Sequence, residues 1–109
     1  MKYNGWTNYE TWAVALWLDN EQSSQEYWNE VARECANEAA TDGDKQTDAS
    51  CYLADQLKEH HELACNELQG VDGTVFADLL NAAISEVNWY EIAKHYVVEC
   101  WNDAVSEAA

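Results

Sequence analysis

The sequence predicts an all-α fold, a compact bundle of about five helices with an acidic face. Three observations carry the prediction. No proline occurs anywhere. The four glycines, Gly5, Gly43, Gly70 and Gly73, all fall outside the periodic segments. Within those segments apolar residues recur at three- and four-residue spacing, the period of a helix with one buried face. At 109 residues the chain reads as one domain, spanning 1–109, with enough length to bury a core of its own.

The first helix is predicted from about Asn8 to Asp19. Thr7 and Glu10 have the S/T-x-x-E spacing of a capping box, and Tyr9, Trp12, Ala13, Leu16 and Trp17 follow at helical spacing. The second runs from Ser24 to about Ala40, with Ser23 and Glu26 as its box. Its apolar rows are Tyr27, Val31, Cys35 and Ala39, and then Trp28, Ala32 and Ala36. Thr41 to Ala49 reads as a polar loop. The third helix spans about Ser50 to Leu68, with Ala54, Leu57, His61, Ala64 and Leu68 on one face. Gly70-Val71-Asp72-Gly73 breaks the chain. A short fourth helix follows from Val75 to Ser85, and Phe76, Leu79, Leu80 and Ala83 form its expected core face. Asn88 caps the fifth, with Glu91 three residues on and Val87 and Ile92 placed as a hydrophobic staple. Trp89, Ala93, Tyr96 and Cys100 are expected to face inward. No internal repeat is present.

Charge is the feature that the fold class does not explain. Acidic residues number 21 against five basic ones, for a formal net charge of -16. Hydrophobic residues still make up 48% of the chain, with six Trp and six Tyr. A disordered acidic tail is poor in aromatics, so this composition describes a folded body with a charged exterior. Direct nucleic-acid binding needs a basic footprint that the chain lacks. An anionic membrane would repel it, and the longest apolar run, Ala13 to Leu18, is too short to span one. The N-terminal segment Met1 to Gly5 lacks the apolar region of a signal peptide, so the expected location is the cytoplasm, that of the host cell if the chain is phage-encoded. Cys35, Cys51, Cys65 and Cys100 are then expected as thiols.

The acids are ordered. Glu26, Glu30, Glu34 and Glu38 recur every four residues and draw a carboxylate stripe along the second helix, at the rim of its buried face. Like charges at this spacing cost a few tenths of a kcal/mol per pair, and no lysine lies on the stripe. Asp55, Glu59 and Glu62 form a second group, and Glu99, Asp103 and Glu107 a third. One stripe has a carboxylate about every 6 Å, whereas duplex DNA has roughly one charge per 1.7 Å of axis. Two or three stripes side by side approach that density. The plausible partner is a basic, nucleic-acid-binding protein. Solubility or adaptation to high salt are the bland explanations of the same charge.

Other constellations are weaker. The loop Asp42 to Asp48 lacks the glycine and terminal glutamate spacing of an EF-hand. His61 and Cys65 share a helical face but lack two further zinc ligands, and His61 falls on an apolar row. The cysteine separations match no zinc or redox motif. No phosphate loop, nucleophile elbow or dinucleotide fingerprint is present. No cofactor, metal or catalytic residue is therefore assigned. Trp12, Trp28 and Trp89 are read as core. Trp6, Trp17 and Trp101 are candidates for a partner or homodimer contact.

The string Asn4-Gly5-Trp6-Thr7-Asn8-Tyr9-Glu10-Thr11-Trp12, followed by Leu16-Trp17, resembles a family of small acidic proteins from phages, mobile elements and some archaea. The segment Val87-Asn88-Trp89-Tyr90-Glu91-Ile92-Ala93-Lys94-His95 looks like that family's second signature. The family's biochemical function is uncharacterised, so the resemblance transfers no catalytic residue; it implies a phage context. By charge and size the chain is similar, as a class, to DNA-mimic inhibitors of host defence. The leading expectation is a non-enzymatic anti-CRISPR or anti-restriction inhibitor using Glu26, Glu30, Glu34, Glu38, Asp55, Glu59, Glu62, Glu99 and Asp103. The alternative is an adaptor acting through exposed aromatics, with the charge serving solubility. A small metal-dependent enzyme is the third class.

Overall fold

The computed structural model describes residues 2–108, and among them it contains five helices and no strand beyond a single bridge between Tyr3 and Trp6. The helices are α1 (Tyr9–Asn20), α2 (Gln22–Thr41), α3 (Gln46–Asn66), α4 (Val75–Ser85) and α5 (Trp89–Ala108). The all-α expectation holds. α2, α3 and α5, each about 30 Å long, pack against one another as a three-helix core. α1 closes one side of the core against α2 and α5, and α4 touches α3 only slightly.

Helix starts differ from the sequence reading wherever a side chain found a better partner. Asn8, not Thr7, caps α1: its Oδ1 accepts the Thr11 N–H at 2.9 Å. The Thr7 N–H instead donates to Glu91 Oε1 at 2.9 Å, so the Thr7–Glu10 box does not form. α2 begins two residues early. Ser23 donates to Glu21 Oε1 at 3.1 Å, and Glu26 accepts from Gln22 Nε2 at 3.0 Å, so neither acts as half of a box. α2 ends in a Schellman turn, with Gly43 at φ +79° and the Asp44 N–H donating to Ala39 O at 2.8 Å. The polar loop is then shorter than predicted, because α3 starts at Gln46. There Asp48 Oδ2 accepts the Lys45 N–H at 2.9 Å, and this reciprocal half of a capping box draws the preceding turn into the helix.

The core is built from Trp28, Ala32, Leu53, Leu57, Ile92 and Val97, all nearly or fully buried. The staple residues Val87 and Ile92 are both buried, as read. Three inward faces require correction. α1 buries Thr11, Ala15 and Leu18, while Tyr9 and Leu16 are exposed and Trp12, read as core, is half-buried; Trp17, a candidate for a partner contact, is exposed. Tyr9 and Trp12 pack on Tyr3 instead, with ring centroids 5.3 and 5.0 Å away. In α2, Tyr27 leaves the predicted row for solvent. In α3 the buried set is Ala49, Ser50, Leu53 and Leu57; Ala64, in its last turn, is exposed, and the helix ends at Asn66, so Leu68 lies beyond it and is exposed too.

α4 is the largest departure. Its limits match the prediction, yet it buries no residue. Phe76, Leu79 and Ala83 face solvent, and Leu80 is half-buried. The helix is rotated so that Ala77, Leu80 and Ile84 turn toward the bundle, and Ile84 packs against the core. The molecule measures 52 × 31 × 25 Å with a radius of gyration of 15.2 Å. A compact domain of this length would have about 13 Å. A slightly attached α4 and the exposed C-terminal part of α3 account for the elongation.

Candidate functional site

All nine acids singled out in the sequence are exposed: Glu26, Glu30, Glu34, Glu38, Asp55, Glu59, Glu62, Glu99 and Asp103. Their directions differ. The buried set of α2 centres on Cys35 and Ala39. At 100° per residue the glutamate stripe points roughly 150° from that direction, so it runs along the outer surface of the helix and not at the rim of its buried face. Arg33 sits on the same surface and donates to Glu30 Oε2 at 2.7 Å. The stripe thus contains one cation, three residues from Glu30, and the Glu30 carboxylate together with its hydrogen bond raises the Arg33 pKa.

In α5, Glu99 and Asp103 lie on the flank turned toward α2. Arg33 and Asn37 of α2 and Asp103 and Glu107 of α5 line one shallow groove. The α2 and α5 rows therefore share a side of the molecule. Asp55, Glu59 and Glu62 project from α3 opposite Leu53 and Leu57, and so away from the core. In a three-helix core the outer faces diverge by about a third of a turn, so no single flat surface carries all three groups.

A second candidate lies at the junction of α1, α2 and α5. There a cavity of about 270 Å³ is lined by Trp6, Asp19, Asn29, His95, Tyr96 and Glu99, among others. Trp6 packs on His95 with ring centroids 4.3 Å apart and the planes tilted by 31°. Tyr96 is 9% exposed, and its buried hydroxyl has no hydrogen-bond partner among the described residues. Burial, and then the charges of Asp19 and Glu99, push the Tyr96 pKa up to about 12. Among the described residues neither carboxylate pairs with a cation. Lys2 and Lys94 line a neighbouring recess that shares His95 and Glu99, but they form no ion pair there.

The sequence reading missed this cavity. Tyr96 registered only as a core position, and nothing in the spacing ties Asp19 to Glu99, 80 residues on. The other titratable groups are occupied structurally. His61 Nδ1 bonds Leu57 O at 2.7 Å, and its ring lies 4.9 Å from Trp89. Burial lowers the His61 pKa. Burial first, and then Glu38 and Glu34, raise the Cys35 pKa to about 11, which is unsuited to a thiolate nucleophile. Among the described residues no three His, Cys, Asp or Glu side chains converge as a metal-binding group. Nor, among those residues, is any helix long and apolar enough to cross a membrane.

The two signature strings meet in space. Thr11, fully buried, donates from Oγ1 to Asn8 Oδ1 at 2.6 Å and accepts the Asn88 N–H at 2.8 Å. Asn88 Oδ1 caps α5 by accepting the Glu91 N–H at 3.1 Å, and its Nδ2 donates to Thr7 Oγ1 at 3.3 Å. Asn8 Nδ2 donates to Glu86 O at 2.6 Å. The N-termini of α1 and α5 thereby cap themselves and each other. The strings that carry the resemblance are a structural lock, and none of the nine acids belongs to it.

No curated protein and no solved structure matches the chain. A family profile does match, over residues 1–98. That span covers both halves of the lock and the α2 stripe and ends just before Glu99. The chain therefore belongs to DUF7249, a family of unknown function.

Proposed function

We propose that the protein is a non-enzymatic, phage-type inhibitor that mimics a nucleic-acid backbone and occupies the basic channel of a host-defence complex, a CRISPR effector or a restriction enzyme. The observation that carries this reading is the outward direction of Glu26, Glu30, Glu34 and Glu38, which present carboxylates over about 18 Å of one helix. Glu99 and Asp103 extend the same side across the α2–α5 groove. The mechanism is competition. These carboxylates take the arginines and lysines that otherwise hold phosphates, and long-range attraction speeds the encounter. Asp55, Glu59 and Glu62 lie on another side, so they contribute only where the channel wraps around the inhibitor.

The test is capture of partners from host lysate on immobilised protein at low salt. The expected result is a nucleic-acid-binding complex that is displaced by added DNA and eluted by salt. Charge reversal of Glu26, Glu30, Glu34 and Glu38 to Lys should abolish capture. Undiminished capture by that variant would remove the stripe from the contact surface.

One observation favours a second reading, an adaptor that docks through aromatics. Trp17 is 74% exposed, next to exposed Leu16. Trp6 and Trp101 are half-buried against the core and are no longer candidates of equal standing. On this reading Trp17→Ala loses the partner while the stripe variant keeps it.

A further inference from the structure

We propose that the outward face of α4 is a self-association surface, on which a second copy of this chain docks its own α4 antiparallel across a two-fold axis. This goes beyond the backbone-mimic reading and stands whether or not the α2 stripe meets a partner. The helix is apolar on two sides. Ala77, Leu80 and Ile84 turn toward the bundle, whereas Val75, Phe76, Leu79, Ala82 and Ala83 share the opposite side by helical spacing, and all five are exposed. A helix that is apolar all round belongs in an interior, yet α4 buries no residue in a single copy. A helix of 11 residues is marginal in water by itself, so its stability depends on what packs against it.

Charge and shape select the occupant. The chain has 21 acidic residues, but within α4 there is only Asp78, which points off the outward face. A basic partner finds no carboxylate on that face of the helix to pair with. A neutral apolar helix fits, and α4 is itself one. The face is also self-complementary. Its bulk lies at the start of the helix, in Val75 and Phe76, and its small residues lie toward the end, in Ala82 and Ala83. An antiparallel pair centred on Leu79 sets Val75 against the second copy's Ala83 and Phe76 against its Ala82, large into small, and symmetry repeats both contacts. Val75, Phe76 and Leu79 are 62%, 65% and 61% exposed. With the two alanines they present on the order of 400 Å² of apolar surface, as much as the largest patch of an ordinary monomer. A stable interface takes about 800 Å² from each partner, so this pair is weak and reversible, with a Kd on the order of 100 μM. At a few μM the chain is a monomer and α4 is uncovered. Asp72 before the helix and Glu86 after it flank the face. The antiparallel pair brings each Asp72 toward the second copy's Glu86, so like charges oppose at both rims and association tightens as salt screens them.

Sedimentation equilibrium of the folded chain, from about 5 μM to about 500 μM and in about 20 mM and about 200 mM sodium chloride, tests the pairing. The weight-average mass should rise with concentration from 12.4 kDa toward twice that value. The apparent Kd should fall several-fold at the higher salt. Leu79→Glu sets two carboxylates together at the axis and should weaken association by about a hundredfold or more. Residue 79 is exposed in a single copy, so the far-UV circular dichroism of that variant should be unchanged. Val75→Lys and Ala83→Glu should each weaken the pair. The Val75→Lys/Ala83→Glu double variant should recover it, because opposite charges then face one another across the two copies. Within one copy the two positions lie two turns apart, beyond the reach of an intrahelical pair. A mass of 12.4 kDa at every concentration and both salts overturns the proposal and leaves the face to a different protein. Association that Leu79→Glu leaves intact, or that salt weakens, overturns it too, by placing the contact elsewhere or marking it as charge-paired. Failure of the double variant to recover what its single variants lose rejects the antiparallel pairing.

Discussion

Two neighbouring regions of this molecule obey opposite rules. Where α1 and α5 begin, a polar residue goes inside: Thr11 is fully buried, and around it Asn8, Asn88, Thr7 and Glu91 bond to one another or to the backbone. On the other side of Glu86, α4 and the C-terminal part of α3 leave apolar residues outside, among them Leu63, Leu68, Val75, Phe76 and Leu79. Hydrophobicity thus fails to rank these segments by burial. Position relative to the three-helix core decides it, and a hydrogen-bonded threonine goes in where a leucine on a peripheral helix stays out.

The sharpest way to break this contrast is to truncate one leucine in the three-helix core and one on α4. Leu57→Ala, at a fully buried site, should cost about 2–5 kcal/mol in urea unfolding. Leu79→Ala, at a site 61% exposed, should stay within about 0.5 kcal/mol. A large loss from Leu79→Ala would mean that a second surface covers α4 in solution. Next in size is Thr11→Val, which keeps the shape but orphans the Asn88 N–H and removes a donor from Asn8. Its expected cost is about 2 kcal/mol, the scale of a buried group left unpaired. A cost near zero would show that the lock is ornamental to stability.

A pH experiment sharpens the comparison further. The folded His61 pKa lies below its ordinary value of 6.5, because burial disfavours the imidazolium. The unfolded chain therefore takes up the proton first. His61 contributes full stability above about pH 6.5, and that contribution is lost as pH falls through the lower folded pKa. Protonation of surface carboxylates relieves repulsion and acts in the opposite sense. The measurement is accordingly a difference: the drop in melting temperature between pH 7.5 and pH 5.5 should be larger for the parent chain than for His61→Phe. The smallest effect is that of salt. With a net charge of -16 and one ion pair among the described residues, added sodium chloride screens more repulsion than attraction. Melting temperature should rise modestly between about 20 mM and about 200 mM salt, as the Debye length shrinks below the spacing of distant charges.

The same contrast explains which features the sequence disclosed. Helix existence was legible throughout, because periodicity and punctuation act locally; α4 was placed from Val75 to Ser85 without error. Its burial was not legible, because a moment tells which face is apolar but not whether a neighbour is long enough to cover it. The Asn88 cap and the Val87–Ile92 staple were read correctly because both are local. The α1 cap was misread because Glu91, 84 residues away, outcompetes Glu10 for the Thr7 N–H. The acidic stripe was found by spacing, and its exposure followed. Its relief by Arg33 was missed because an i,i+3 partner lies off the four-residue row. The cavity between α1, α2 and α5 was invisible because Asp19, Asn29 and Tyr96 become neighbours only when three helices meet.

The lock between α1 and α5 also constrains the order in which the chain acquires structure. Its bonds join residues 77 to 84 positions apart, from the first tenth of the sequence to its last quarter. While the chain is being synthesised, α1 emerges first and has only α2, and not α5, to close against. Thr11 must wait, solvated, until Asn88 has left the ribosome. Loop closure over that distance is entropically slow, so the N-terminal helix docks late, whatever its own helical tendency. A nascent chain stalled before Asn88 should leave α1 open to protease, and release of the remaining residues should protect it in a single step.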